Sequence, residues 1–394
     1  MNTTPSSNRT HIAIYGKTNS GKSSLFNAII GQDISIISDI KGTTTDPVSK
    51  PMELLPYGPV IFLDTAGLDD SSQLGELRVQ KSLQMLQRTD FALYVLDIHD
   101  RDLAHYNATL NTFKKHNIPY VTVINKCDTA SEAILNEAKK TFKEAIYIST
   151  TNAQDILNLK DHLIKKLQDT EEDPPIIGDI IPYNGKVILV VPIDSEAPKG
   201  RIILPQVQLI RDCLDHGIKS YVVRDTELQT ALEDLDDVDL VVTDSQAFKK
   251  VNQLVPTSIP LTSFSIVFAR YKGDLKTFVE GVNTINKLTE HSRILISESC
   301  THNHSHEDIG RVKIPHLLNQ YTGKSLTYDF KMGHDFPEDI KHYDLIIHCG
   351  SCMLNKKTMI SRINQCKALG VPITNYGVTL AYLNGILNRC IDIF

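Results

Sequence analysis

The chain has 394 residues, 41% of them hydrophobic and 22% charged, with a formal net charge of -6. That length predicts two or three domains, and the acidic balance argues against a protein that grips nucleic acid through a basic surface. No apolar run approaches the ~20 residues that cross a bilayer. The polar segment Met1–Thr10 also lacks the apolar stretch of a signal peptide, so the expected setting is the cytoplasm, where thiols stay reduced.

Short β-rich runs at His11–Tyr15, Val60–Leu63, Phe91–Leu96, Tyr120–Ile124 and Ala145–Ile148 alternate with helical patterns as far as about residue 168. Such alternation predicts a mostly parallel sheet covered by helices on both faces. The acidic segment Asp169–Pro175 ends in two prolines and reads as a linker. Beyond it, strands are expected at Lys186–Pro192, Lys219–Val223 and Leu240–Thr243, with helices at Leu204–His216, Glu227–Leu235 and Ser245–Leu254. Ser263–Leu288 reads as one long helical stretch leading into a third unit. That unit carries strands Arg293–Ser297 and Tyr343–Ile347 and a helix Lys356–Leu369 that stops at Gly370. The fold class is therefore α/β in three domains, at residues 1–170, 171–262 and 263–394.

Gly16-Lys-Thr-Asn-Ser-Gly21-Lys22-Ser23 fits the phosphate-loop pattern between a strand and a helix. Glycines there let backbone N–H groups approach phosphates, and the helix N-terminus favours negative charge. Gly16, Asn19, Ser20, Gly21, Lys22, Ser23 and Ser24 are the candidate phosphate contacts. Lys22 is expected on the β- and γ-phosphates, and Ser23 on magnesium. Asp64-Thr-Ala-Gly67 ends a strand, which suits Asp64 to magnesium through water and Gly67 to sensing the γ-phosphate. Asn125-Lys126-Cys127-Asp128 ends another. The Asp128 carboxylate can accept from guanine N1–H and the 2-amino group, a pair adenine lacks, so the expected nucleotide is GTP or GDP. Ser149 and Thr150 fit the last base-contacting loop. Gly42-Thr43-Thr44-Thr45-Asp46 reads as the switch loop, in which a threonine, taken as Thr45, ligates magnesium. The expected catalytic set is Lys22, Thr44, Asp64 and Gly67. This part of the chain resembles the translation-factor-related GTPases, in particular the potassium-activated tRNA-modification group. Asn19 matches the asparagine that ligates potassium there. Leu68 stands where Ras-like proteins carry a catalytic glutamine, which implies slow unaided hydrolysis, suited to a switch.

Three of the seven cysteines fall in a ligand-like pattern: Cys300-Thr301-His302, then 45 residues, then His348-Cys349-Gly350-Ser351-Cys352. Soft thiolates at this spacing suit zinc or an iron–sulfur cluster. If the strands before Cys300 and Cys349 are parallel neighbours, the thiols meet at one carboxyl edge, where open α/β sheets bind ligands. Three thiolates leave the fourth position to another residue. Candidates are His302, His348, Glu298 and His304, although His304 and His306 suit a solvated loop equally well. Cys127, Cys213, Cys366 and Cys390 read as ordinary thiols.

A phosphate loop of this subtype, a middle α/β unit and a terminal Cys-x-His…His-Cys-x-x-Cys together resemble the FeFe-hydrogenase maturation GTPases over nearly the whole chain. Gly42-Thr-Thr-Thr-Asp-Pro47 fits that family too. The resemblance implies a Ras-like P-loop GTPase domain, a small α/β dimerisation domain and an α/β cluster-binding domain. It also implies a 4Fe–4S cluster on Cys300, Cys349 and Cys352, and a scaffold that takes a di-iron precursor from radical-SAM maturases and delivers it to apo-hydrogenase. The implied assembly is a homodimer, with the step to a tetramer left open, and no nucleic acid or membrane partner. The switch segments Thr43–Asp46 and Gly67–Asp70 are expected to alter partner interfaces. The alternative is a zinc-binding GTPase acting in RNA modification or ribosome assembly.

Overall fold

The computed structural model describes residues 5–31, 48–65, 85–100, 102–170, 174–193, 202–299, 308–333 and 335–394. The chain divides into two compact units, Met1–Glu172 and Asp173–Phe394.

The first unit is built on a six-stranded sheet. Its strands are β1 (Thr10–Tyr15), β2 (Val48–Leu54), β3 (Gly58–Asp64), β4 (Phe91–Asp97), β5 (Tyr120–Asn125) and β6 (Ile146–Tyr147). They lie in the order β2-β3-β1-β4-β5-β6, parallel throughout except for β2, which runs antiparallel to β3. The central strands are apolar almost without interruption because both of their faces are covered, as Ala92, Leu93, Tyr94 and Val95 on β4 show. Leu25, Phe26 and Ile29 of helix Lys22–Ile30 join Leu159 and Leu163 of helix Ala153–Thr170 in one core. β2 is absent from the sequence reading. It contains Lys50 and Pro51 and alternates between half-buried and exposed residues, a pattern tolerated only at a sheet edge.

The second unit holds two four-stranded sheets. The first combines β7 (Lys186–Val190), β8 (Lys219–Val223), β9 (Leu240–Thr243) and β10 (Leu261–Ser263) in the order β10-β9-β7-β8. The second combines β11 (Arg293–Glu298), β12 (Thr327–Met332), β13 (Leu345–His348) and β14 (Ile373–Asn375) in the order β12-β11-β13-β14. All pairings in both sheets are parallel.

The stretch expected to be one long helix is broken into helices Phe264–Lys272 and Leu275–Val282 and a 3-10 turn Asn283–Lys287. Gly273 ends the first helix. Asp274 then caps the second, its Oδ1 accepting from Thr277 N at 3.0 Å and its Oδ2 from Thr277 Oγ1 at 2.6 Å. The break lets helix Phe264–Lys272 serve both sheets. Phe264, Val267 and Phe268 enter the core under β7 and β9, whereas Ile266 and Ala269 enter the core under β11 and β13. Arg389 fastens the C-terminal helix Leu387–Ile391 to the first sheet's side of the unit, donating to Asn252 Oδ1 at 2.7 Å and to the carbonyls of Val255 at 2.9 Å and Pro256 at 2.7 Å. Among the described residues, no helix is long and apolar enough to cross a membrane.

Candidate nucleotide and thiolate sites

In the first unit the motifs meet at the carboxyl ends of β1, β3 and β5. The chain leaves β1 through Gly16 (φ 147°), passes Asn19 (φ 65°) and enters helix Lys22–Ile30 at Gly21 (φ 93°). A Cβ at Gly16 would stand 2.2 Å from the Val95 carbonyl oxygen, and one at Gly21 2.2 Å from Asn125 Nδ2, so neither position accepts a side chain. Asn19 tolerates its left-handed backbone because a short amide side chain can bond locally. Its carbonyl accepts from Lys126 Nζ at 2.8 Å, and Lys126 also pairs with Asp97 at 2.7 Å. Burial works against the Asp97 charge, but the Lys126 contact and the His99 backbone N–H outweigh it and hold the carboxyl below its ordinary pKa.

Lys22 is buried and folds its ammonium onto the carbonyls of Gly16 and Lys17, which centres a positive charge on the loop. Ser23 Oγ donates to Asp64 Oδ2 at 2.9 Å, so the two expected magnesium groups come together. Asn125 Nδ2 donates to the Ser20 carbonyl at 3.1 Å, tying the base-side motif to the phosphate loop. Ser20 Oγ and Asn125 Oδ1 are buried without a hydrogen-bond partner among the described residues, as groups awaiting a polar ligand would be. Ser24 is exposed, beside Ser23 in the first helical turn, and Asp128 is exposed in the turn after β5. Ser149 and Thr150 follow β6, with Ser149 N–H fixed by Asp155 Oδ2 at 2.8 Å. Thr43, Thr44, Thr45, Gly67 and Leu68 lie outside the described residues.

In the second unit β11 and β13 are parallel neighbours, with Ser297 opposite His348. Cys349 therefore emerges at the carboxyl edge beside Ser299. Its N–H bonds the Ser297 carbonyl at 2.9 Å, and its Sγ lies 3.0 Å from both the N–H and the Oγ of Ser299. Ser351 takes a left-handed backbone (φ 56°) inside the turn from Cys349 to Cys352. Its Oγ bonds Met359 Sδ at 3.1 Å and His348 Nδ1 at 3.3 Å. Burial, and next the neighbouring Cys352, push the Cys349 thiol up, while the donors from Ser299 favour the thiolate. Cys300, His302, His304 and His306 lie outside the described residues. Among those described, no group of three or more His, Cys, Asp or Glu residues is placed to hold a metal ion.

His348 is occupied rather than offered. It is wholly buried, Nε2 stands 2.7 Å from Arg362 Nη1 and Nδ1 stands 3.0 Å from the Cys349 carbonyl. Burial first, and the Arg362 charge second, pull its pKa down to about 3, so the ring is neutral. With Nδ1 donating to the carbonyl, the Nε2 lone pair is spent on the guanidinium. This arrangement argues against the sequence suggestion that His348 is a fourth ligand. Glu298 is also buried, and it accepts from Tyr376 OH at 3.3 Å and meets Arg311 Nε at 3.5 Å. A carboxylate has more lone pairs than these two contacts use. Arg362, Ser299 and Tyr376 are absent from the sequence reading. For Arg362 a signal existed, because it falls in helical phase with the buried Met359, Ile363 and Cys366.

Residues 276–393 match the hydrogen maturase F tetramerization domain, and residues 176–273 match the hydrogen maturase F dimerization domain. Residues 11–126 match a family model described as 50S ribosome-binding GTPase. The two hydrogen maturase F domains together span more than half of the chain. The chain belongs to the hydrogen maturase F type of GTPase. The first unit of this hydrogen maturase F chain is its P-loop GTPase domain, and its further α/β domains follow.

Over 153 residues it is 35% identical to the tRNA modification GTPase MnmE of Legionella pneumophila (strain Paris), covering 38% of this chain and 32% of that protein. Over 170 residues it is 32% identical to the GTPase Der of Persephonella marina, covering 40% of this chain and 38% of that protein. Both matches span about a third of the relative's own length. Era of Aquifex aeolicus, among solved structures, is 21% identical with a TM-score of 0.34, covering 62% of this chain and 97% of that one, too distant to carry an argument.

Proposed function

We propose that this hydrogen maturase F chain is a GTP-hydrolysing scaffold and carrier for FeFe-hydrogenase maturation. In this reading, Cys300, Cys349 and Cys352 hold a 4Fe–4S cluster. The protein receives a di-iron precursor from radical-SAM maturases in the cytoplasm and delivers it to apo-hydrogenase. The observation that carries the proposal is the contact of Ser299, the chain neighbour of Cys300, with Cys349 Sγ at the carboxyl edge of β11 and β13. N–H donors to cysteine sulfur are the surroundings that iron–sulfur thiolates use. A bound cluster would supply an iron with an exchangeable fourth position; Glu298 and His302 remain the fourth-ligand candidates.

On the nucleotide side, Lys22 and the loop amides hold the phosphates, and Ser23 with Asp64 and Thr45 holds magnesium. Asn125, Lys126, Asp128, Ser149 and Thr150 hold the base. Potassium at Asn19 would add positive charge beside the phosphates, where no glutamine stands after Gly67. Thr44 and Gly67 belong to the segments that respond to the γ-phosphate. GTP hydrolysis then resets the affinity for partner enzymes, a coupling that must be reciprocal. Equal affinity of the GTP and GDP forms for every partner contradicts this coupling.

Self-association accords with the exposed edge strand β8. Val222 on that strand is 45% exposed, and Val207 and Leu214 on helix Leu204–Asp215 are 48% and 68% exposed. An apolar edge of this kind suits pairing with a second copy. Val222→Glu is therefore expected to shift the protein toward monomer in sedimentation velocity.

Anaerobic reconstitution with iron and sulfide tests the reading. A brown protein whose visible absorption is lost in Cys300→Ala supports it. A colourless protein with one tightly held zinc per chain contradicts it and favours the zinc-binding alternative.

A further inference from the structure

Arg362 heads the largest side chains that are fully buried among the described residues. Its Nη1 donates to His348 Nε2 at 2.7 Å and Ser297 Oγ at 3.4 Å, and its Nη2 donates to the Gly333 carbonyl at 2.8 Å. Its Nε is buried with no partner, and the guanidinium carbon lies 4.9 Å from the centre of the Phe336 ring. Every acceptor it reaches is neutral, and no carboxylate pairs with it among the described residues. Burial pulls its pKa down to about 10, with Cys349, Cys366 and Asp335 acting the other way, so it stays cationic at neutral pH. A buried cation without a counter-ion is strongly destabilising.

The position of this cation is informative. Arg362 Nη1 reaches His348, whose Nδ1 donates to the Cys349 carbonyl, so guanidinium, imidazole and the Cys349 backbone form one chain of contacts. On the same turn Lys272, also buried, donates to the carbonyls of Ser351 at 3.4 Å and Leu354 at 3.3 Å. Arg362 thus stands behind the start of this turn through His348, and Lys272 fastens its later part. A neutral thiol site gives no reason for a buried guanidinium without a carboxylate partner, whereas a thiolate-bound anionic group does.

We infer that Arg362 is a positioning residue that orients His348 and the Cys349 turn and supplies the buried counter-charge for an anionic group bound by the cysteines. This rests on the cluster reading above. The competing role is a plain structural staple joining β11, β13 and the Gly333 loop, which needs the hydrogen bonds and not the charge.

The two roles separate in the midpoint potential of the reconstituted cluster, followed by its spectrum in a redox titration. One-electron reduction makes the bound group more negative, so a nearby buried cation favours the reduced form. Arg362→Met is expected to lower the potential, and Arg362→Lys, which keeps the charge and loses the forked geometry, to stay near wild type. Should Arg362→Met alone fail to fold, the double variant Arg362→Met with His348→Leu removes both partners together and carries the same expectation. An unchanged potential in the Met variants overturns the role of Arg362, as does a Lys variant displaced as far as Met. A wild-type protein that takes up no iron overturns the cluster reading itself, and this inference with it.

Discussion

At the carboxyl edge of β1 the groups that face a ligand are mostly main chain, held open by Gly16 and Gly21 and centred by Lys22. At the carboxyl edge of β11 and β13 the groups proposed for that role are side chains, Cys349 and Glu298, each held by other buried side chains. The first edge is shaped by where a Cβ is forbidden. The second is shaped by which buried polar group partners which. Main-chain sites tolerate changes of side chain around them but fail when a glycine is lost. Side-chain sites should fail one residue at a time, and without disturbing the other unit.

The largest expected effect sharpens that contrast. Cys349→Ser should remove nearly all reconstituted iron, read by iron and sulfide analysis, while GTP hydrolysis continues at the wild-type rate. A fall in both breaks the separation. Next, Gly16→Ala drives a Cβ to 2.2 Å from the Val95 carbonyl, where the neighbour is backbone and cannot rotate away. Strain of up to ~3 kcal/mol corresponds to a loss of roughly 100-fold in guanine-nucleotide affinity, measurable by titration with a fluorescent analogue. Iron uptake should be unaffected.

These two sites were not equally readable. The phosphate loop is legible because its spacing encodes backbone geometry, and Gly16 and Gly21 carry the positive φ that such a loop needs. The pattern of Cys349 and Cys352 was legible as well, but the identity of their neighbours was not. Histidine beside cysteine invites a metal reading, yet the Nε2 of His348 is committed to Arg362. Arg362 itself was hidden because a charged residue on a helix reads as solvent-facing, although it sits in phase with Met359, Ile363 and Cys366. β2 was missed because Lys50 and Pro51 mask its alternation. The break at Gly273-Asp274 carried an ordinary stop and cap signal, overridden by the apolar period that continues on both sides of it.

A smaller effect concerns base choice. Asp128→Ala removes the charged acceptor proposed for guanine, a loss of ~1.5–3 kcal/mol that should narrow the preference for GTP over ATP by about 10- to 100-fold. Competition between the two nucleotides for the fluorescent analogue measures it, and an unchanged ratio removes Asp128 from the base site.

The smallest effect is on stability in the second unit. Burial disfavours the Asp274 charge, but Lys367 and Thr277 outweigh it and hold the carboxyl at about 2. Its stabilising contribution is therefore present above the ordinary aspartate range and is lost as pH falls through about 2. Asp274→Ala should cost ~1 kcal/mol at neutral pH, the usual worth of a helix cap. The gap from wild type, followed by denaturant titration, should close on acidification between pH 5 and 2. A constant gap assigns the loss to packing alone.

The central claim is that the cysteine edge carries a transferable cargo in a chain governed by GTP. The protein should be incubated with the two radical-SAM maturases, separated from them, and added to apo-hydrogenase made in their absence, with hydrogen evolution as the readout. Activation by wild type and none by Cys349→Ser, although both bind GTP equally, is the predicted result. Equal activation by the two proteins, or none by either while the wild type carries its cluster, contradicts it.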